Sequence, residues 1–124
     1  MAKIIVIDDD RRFLRVIRRA LTASGFVVII YEDARPAIAH ITREVPDLLI
    51  TDIFMPGVEG LETIRRARAV SSTLPIIAIS GGSIIGPDYL QMARRFGASA
   101  TLAKPFHPAE LIGLIARLLP QQID

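Results

Sequence analysis

The chemistry in this chain is carried by four sets of residues: the acids Asp8-Asp9-Asp10, a further acid at Asp52, a hydroxyl at Ser80 and an amine at Lys104. Each follows a short run that reads as a strand. Ile4-Ile5-Val6-Ile7 precedes the first acids, Leu48-Leu49-Ile50-Thr51 precedes Asp52, and Ile76-Ile77-Ala78-Ile79 precedes Ser80. A smaller, less apolar run at 98–102 leads to Lys104. Apolar runs without alternation belong to strands covered on both faces, as in a parallel sheet. The residues just past such strands collect at the carboxyl edge, where open α/β sheets bind their ligands. Clustered carboxylates repel each other unless a cation neutralises them. With oxygen ligands and no cysteine in the chain, that ion is a hard one, and Mg²⁺ suits a site with few protein ligands and several waters. Lys104 adds a compact positive charge and Ser80 a hydroxyl donor. A carboxylate beside a divalent metal, an ammonium and a hydroxyl is the set that phosphoryl transfer requires, with an acyl phosphate on aspartate as its product.

The elements that must position these groups are legible from periodicity. After the first acids, Phe13/Leu14, Ile17 and Ala20/Leu21 form an apolar helical stripe, with Arg11, Arg15, Arg18 and Arg19 away from it. Ser24-Gly25 closes this helix, and 26–30 reads as the second strand. Asp33 is the expected N-cap of a helix to about Arg43, and Pro46-Asp47 leads into the third strand at 48–51. Met55-Pro56-Gly57 is a turn, and Gly60 opens a helix carrying Leu61, Ile64 and Ala67. The fourth strand is expected at 76–79. Residues 81–87 are rich in glycine and read as a mobile loop, and a short helix then runs from Asp88 to Phe96 and stops at Gly97. The fifth strand is expected at 98–102, and a last helix, with Pro108 in its first turn, runs to about Leu119. Five strands alternating with five helices give a doubly wound, flavodoxin-like α/β fold with strand order 2-1-3-4-5, in one domain covering 1–124. That order places the first and third strands side by side and brings Asp8, Asp9 and Asp52 together.

Composition excludes several classes. The 124 residues are 51% hydrophobic and enough for one compact core, and a net charge of +2 is too small an excess to indicate nucleic-acid binding. The opening apolar run is too short for a signal peptide or membrane span, so a cytoplasmic protein is expected. The pairs Arg11-Arg12, Arg18-Arg19, Arg65-Arg66 and Arg94-Arg95 read as solvated helix faces.

Over essentially its whole length the chain resembles a receiver domain of two-component response regulators, of the single-domain chemotaxis type. The motifs that carry the likeness are Ile7-Asp8-Asp9-Asp10, Asp52-Ile53-Phe54-Met55-Pro56-Gly57 with Gly60, Ser80, Gly97-Ala98 and Lys104-Pro105-Phe106. The resemblance implies that Asp52 accepts a phosphoryl group from the phosphohistidine of a sensor kinase or phosphotransfer protein. It implies Mg²⁺ held by Asp9, Asp52 and the backbone carbonyl of Phe54, with Asp8 acting largely through water. Lys104 would pair with the phosphoryl oxygens and Ser80 would hydrogen-bond one of them. In the family the positions of Phe54 and Gly82 influence phosphate lifetime; Phe54 would either cover the acyl phosphate against water or fold onto the neighbouring loop. Two departures stand out. Thr101 occupies a position that is commonly aromatic in the family, so the usual aromatic rotamer step has no residue to perform it. His107 stands where a stronger N-cap is common, so the last helix is expected to start less firmly, and His107 and His40 both read as ordinary surface residues.

Other functions stay open at this stage. A phosphohydrolase with a nucleophilic aspartate would show Asp-x-Asp after its first strand, and Asp8 and Asp10 have that spacing, although Asp52 would then lack a role. A flavin site is disfavoured because three acids would repel its phosphate. A degenerate receiver used only for docking is the remaining alternative. The resemblance implies that the kinase docks near the first helix, whose exposed face is the arginine-rich one. The apolar stripe of the last helix is wide, so Ile112 or Leu114, within the 88–119 face, is a candidate contact for a homodimer or output partner. No DNA-binding segment lies within these residues, which leaves both a stand-alone receiver and part of a longer regulator open.

Overall fold

The computed structural model describes residues 1–53, 60–80 and 86–119, with the side chains of 86–90 left undescribed. The expected turn at Met55-Pro56-Gly57 with Phe54, residues 81–85 of the expected loop with Gly82, and the residues from Pro120 on lie outside the described residues. The elements follow as β1 (Lys3–Ile7), α1 (Arg11–Ala23), β2 (Val27–Tyr31), α2 (Ala34–Arg43), β3 (Leu48–Asp52), α3 (Gly60–Val70), β4 (Ile76–Ser80), α4 (Gly86–Phe96), β5 (Ala100–Ala103) and α5 (Pro108–Leu118).

The strands form one parallel sheet in the order β2-β1-β3-β4-β5. Alternate side chains on each strand enter different cores, which is why the strand sequences show no alternation of polarity. Ile5, Ile7, Leu49, Ile76 and Ala78 meet Ala37 and Ile41 of α2, Ile64 and Ala67 of α3, and Ala93 of α4. Ile4, Val6, Leu48, Ile50, Ile77 and Ile79 meet Leu14, Ile17 and Leu21 of α1 and Leu111 and Ile115 of α5. Ile112 and Leu114 are half-buried against this second core, so they are largely used by the fold rather than left on an open flank.

Two strand starts differ from the sequence reading for one physical reason. At the end of α1 the amide of Gly25 bonds Thr22 O (3.0 Å) and that of Phe26 bonds Leu21 O (3.1 Å). At the end of α4 the amide of Gly97 bonds Arg94 O and that of Ala98 bonds Ala93 O, both at 3.0 Å. These paired bonds are the Schellman closure, with Gly25 (φ 96°) and Gly97 (φ 123°) in the left-handed region. The cap uses the amides of Phe26 and Ala98, so β2 and β5 begin later, at Val27 and Ala100. α4 begins at Gly86, two residues before the expected Asp88.

Both histidines are more engaged than their sequence context suggested. His107 is the N-cap of α5: its Nδ1 accepts from the Ala109 amide at 3.1 Å, while Glu110 Oε1 accepts from the His107 amide at 3.3 Å. This reciprocal box, with Pro108 at the first helical position, gives α5 a firm start. His40 Nδ1 lies 2.7 Å from the Tyr31 hydroxyl and its Nε2 3.7 Å from Glu44, one helical turn away.

Gly60 sets the seat of α3. A Cβ at that position would overlap the backbone Cα, C and O of Ile53, just past Asp52, whereas a Cβ at Gly25 would meet nothing within 4 Å. Gly25→Ala therefore changes only backbone preference, a loss of about 1 kcal/mol. Gly60, in α3 without a positive φ, carries no such backbone cost, but an Ala there must move α3 off the β3 end and is expected to lose about 1–3 kcal/mol from overpacking. Urea unfolding checks this: a Gly60→Ala chain as stable as the wild type would show that the approach of Gly60 to Ile53 does not constrain the fold.

Candidate functional site

Strand register builds the site. Ile7 pairs with Thr51, so Asp8 and Asp52 stand one step beyond the same rung, on neighbouring strands. Ser80 pairs with Ala103, and the Lys104 amide donates to Ser80 O at 2.9 Å, carrying Lys104 to the same edge. Asp8, Asp52 and Ser80 are buried there, with 1%, 5% and 3% of their surface exposed, while Asp9 is open to solvent.

One carboxylate oxygen each from Asp8, Asp9 and Asp52 lies within 4.8 Å of the others. An all-oxygen donor set of this size, with one member exposed, fits a hard divalent cation that keeps part of its water shell. Asp8 is held from two sides. Its Oδ1 accepts from the Asp10 amide at 2.9 Å and its Oδ2 from Lys104 Nζ at 2.8 Å. Burial raises its pKa above the usual carboxylate value; the bonds from Lys104 and the Asp10 amide oppose this, and the charge of Asp9 adds to it.

Asp10 does a different job. Its Oδ1 accepts from the amides of Arg12 (3.0 Å) and Phe13 (3.2 Å), which makes it the N-cap of α1. It does not belong to the group of converging carboxylates, so Asp8 and Asp10 do not act as an Asp-x-Asp pair on one ligand.

Lys104 lies at the junction of several elements. Its side chain is 19% exposed, and its Nζ stands 3.9 Å from the centroid of the Phe13 ring as well as against Asp8. Phe13 in turn meets Phe106 edge to face, with centroids 5.8 Å apart and planes at 83°. The Lys104–Pro105 peptide is cis. Phe13 was assigned from sequence only to the apolar stripe of α1. Its spacing carried no other signal, because the contact joins residues far apart in the chain. Thr101 is half-buried in β5 opposite Ala78. Phe54, whose carbonyl the resemblance adds to the metal set, lies outside the described residues.

Away from this edge, a shallow groove of about 500 Å³ runs over α1, lined by Arg12, Arg15, Val16, Arg19 and Ala20. Its lining holds no carboxylate or nucleophile.

An acidic cluster and a lysine at the carboxyl edge of a 2-1-3-4-5 parallel sheet define the receiver architecture. Residues 4–116 match the family model of the response regulator receiver domain, and the chain belongs to that family. It is 32% identical over 117 residues to the response regulator MprA of Mycolicibacterium vanbaalenii, across 94% of this chain and 50% of that protein. It thus spans about half the length of the curated relatives it matches. Among solved structures it resembles the chemotaxis protein CheY4 of Vibrio cholerae (TM-score 0.87, 28% identity, 96% of this chain and 99% of that one). It also resembles a CheY-like receiver domain protein of Methanospirillum hungatei (TM-score 0.91, 27% identity, 98% and 96%). Among the described residues no helix is long and apolar enough to cross a membrane.

If Asp8, Asp9 and Asp52 hold the cation together, Mg²⁺ should raise the melting temperature of the wild-type chain. At a hundredfold excess over its Kd the stabilisation is about 2.7 kcal/mol. Asp9→Asn removes an exposed ligand with little effect on the core, and should lose most of that rise. An undiminished rise in Asp9→Asn would exclude Asp9 from the site.

Proposed function

We propose that this receiver domain is a phosphorylation switch in which Asp52 accepts a phosphoryl group from the phosphohistidine of a sensor kinase or phosphotransfer protein. The observation that carries this reading is the convergence of Asp8, Asp9 and Asp52 beside Lys104 at one sheet edge. A carboxylate oxygen of Asp52 forms the new O–P bond as the P–N bond to the donor imidazole breaks, and the imidazole leaves carrying the nitrogen electron pair. Asp9, Asp52 and the Phe54 carbonyl would hold Mg²⁺, with Asp8 acting largely through water. The ion supplies charge neutralisation for the oxygens in transfer. Lys104 compensates the negative charge that builds up on those oxygens, and Ser80 donates a hydrogen bond to one of them. The chain is a signalling switch rather than a classical enzyme: it turns over no separate substrate, and its chemistry is its own phosphorylation and dephosphorylation. The reading places it in the cytoplasm and gives it output partners, or a second copy, through the 88–119 face.

Two features weigh against the alternatives. Asp10 caps α1, which removes the second carboxylate a phosphohydrolase would need next to Asp8. The Asp, Ser and Lys groups are all present, which a degenerate docking module would not require.

A small phosphodonor should label the purified chain in a Mg²⁺-dependent way, and Asp52→Asn should abolish the label. Labelling that persists in Asp52→Asn and vanishes in Asp8→Asn would instead establish the phosphohydrolase chemistry. The kinase is expected to meet the outer face of α1, where Arg15 and Arg19 are exposed beside Val16, itself 54% exposed. Arg15→Glu with Arg19→Glu should slow phosphoryl transfer from the cognate kinase while leaving labelling by the small donor at the wild-type rate. Unchanged transfer from the kinase would rule out this face.

A further inference from the structure

Lys104 makes two contacts of different kinds, and only one belongs to the acidic cluster. Its ammonium is bonded to Asp8 at 2.8 Å and stands 3.9 Å from the centre of the Phe13 ring. Lysine is a flexible four-carbon stem, and holding its head in one place costs most of its rotamer freedom. An ammonium over an aromatic face is attracted by the ring quadrupole, more strongly where water is partly excluded. With a side-chain exposure of 19%, Lys104 is in that partly excluded setting.

The ring is itself fixed. Phe13 is in the first turn of α1, its amide bonded to the Asp10 cap at 3.2 Å, and its edge-to-face partner Phe106 follows Pro105 in the segment leading to α5. Phe13, Phe106 and Lys104 therefore lock one another from two sides of the site. Leucine would fill much of the space of Phe13 but would offer the ammonium no negative face.

We propose that Phe13 is a positioning residue of the phosphoryl-transfer site, its ring, held by Phe106, keeping the Lys104 ammonium at the acidic edge for use on the phosphoryl oxygens. The proposal rests on the phosphoacceptor reading above and assigns Phe13 a role beyond the apolar stripe of α1. It makes the Lys104 position depend on α1 as well as on β5. Phe13 acts through Lys104 and touches no reacting atom.

The test compares Phe13→Leu, Phe13→Tyr and Lys104→Met, singly and with Phe13→Leu and Lys104→Met combined. Two quantities are read: the rate of labelling by acetyl phosphate at saturating Mg²⁺, and the chemical shift of the Lys104 ε-methylene protons. In the wild type the ring current should move those protons upfield of an ordinary lysine. Phe13→Leu should abolish that shift and slow labelling about fivefold, the size of one exposed cation–π contact. Phe13→Tyr, which keeps the ring face, should restore both. In the Lys104→Met background Phe13→Leu should have no further effect on the rate. Labelling of Phe13→Leu at the wild-type rate, or a slowing that persists in the Lys104→Met background, would overturn the proposal. If the wild type takes no label, the phosphoacceptor reading fails and the shift alone decides whether Phe13 positions Lys104. An upfield shift lost in Phe13→Leu upholds the positioning, and an ordinary shift in the wild type overturns it.

Discussion

Asp8 is a carboxylate at the end of an apolar strand, with 1% of its surface exposed and two neighbouring acids within reach of one cation. A buried charge of this kind persists only if something answers it, since isolation in a low-dielectric site costs several kcal/mol. Lys104 answers it at 2.8 Å from the far end of the sequence. The same burial that raises the Asp8 pKa makes the Lys104 contact strong. The fold both raises and meets this demand: β1 beside β3 brings in Asp52, a further like charge, and β5 running parallel to β4 delivers Lys104.

The sheet works as a ruler because its two faces are fully used. Ile5 and Ile7 are committed to one core and Ile4 and Val6 to the other. A slip of one residue in β1 keeps apolar side chains on both faces, so hydrophobicity alone leaves its register weakly specified. The ends supply what the middles lack. The Asp10 cap fixes where α1 begins, and the Asp8 amide donates to Tyr31 O at 3.1 Å. At the opposite end Lys3 N donates to Asp47 Oδ2 at 2.7 Å, tying the start of β1 to the start of β3. Polar contacts at the two edges thus choose among registers that the core would accept.

This division explains what could be read from the sequence. The strand order, the placing of Asp8, Asp9, Asp52, Ser80 and Lys104 at one edge, and the inward stripes of the helices follow from local runs, a chirality rule and the usual order of a five-stranded doubly wound sheet, none of which needs long-range detail. The starts of β2 and β5 did not follow, because a glycine closure takes the amide of the residue after it, and apolar Phe26 or Ala98 looks the same with or without that bond. His107 was judged by its type, whereas its capping strength comes from the reciprocal bond to Glu110, three residues on. His40 reads from sequence as an ordinary surface residue, although Glu44 stands one helical turn away, at a spacing the sequence displays. The role of Phe13 is out of reach altogether, since nothing local says that the inner face of α1 will meet the lysine just past β5.

That last contact changes what α1 is. Its inner residues Leu14, Ile17 and Leu21 hold one core, its cap residue Asp10 turns the chain away from the carboxylate cluster, and Phe13 supports Lys104. Its outer face carries Arg12, Arg15, Arg18 and Arg19 in solvent. On the reading above, an ammonium engaged on a phosphoryl group at the acidic edge would stay against the same ring, so the two faces of α1 serve different contacts on one helix. Thr101, half-buried in β5 without a ring, offers no comparable aromatic contact on the other side of the site.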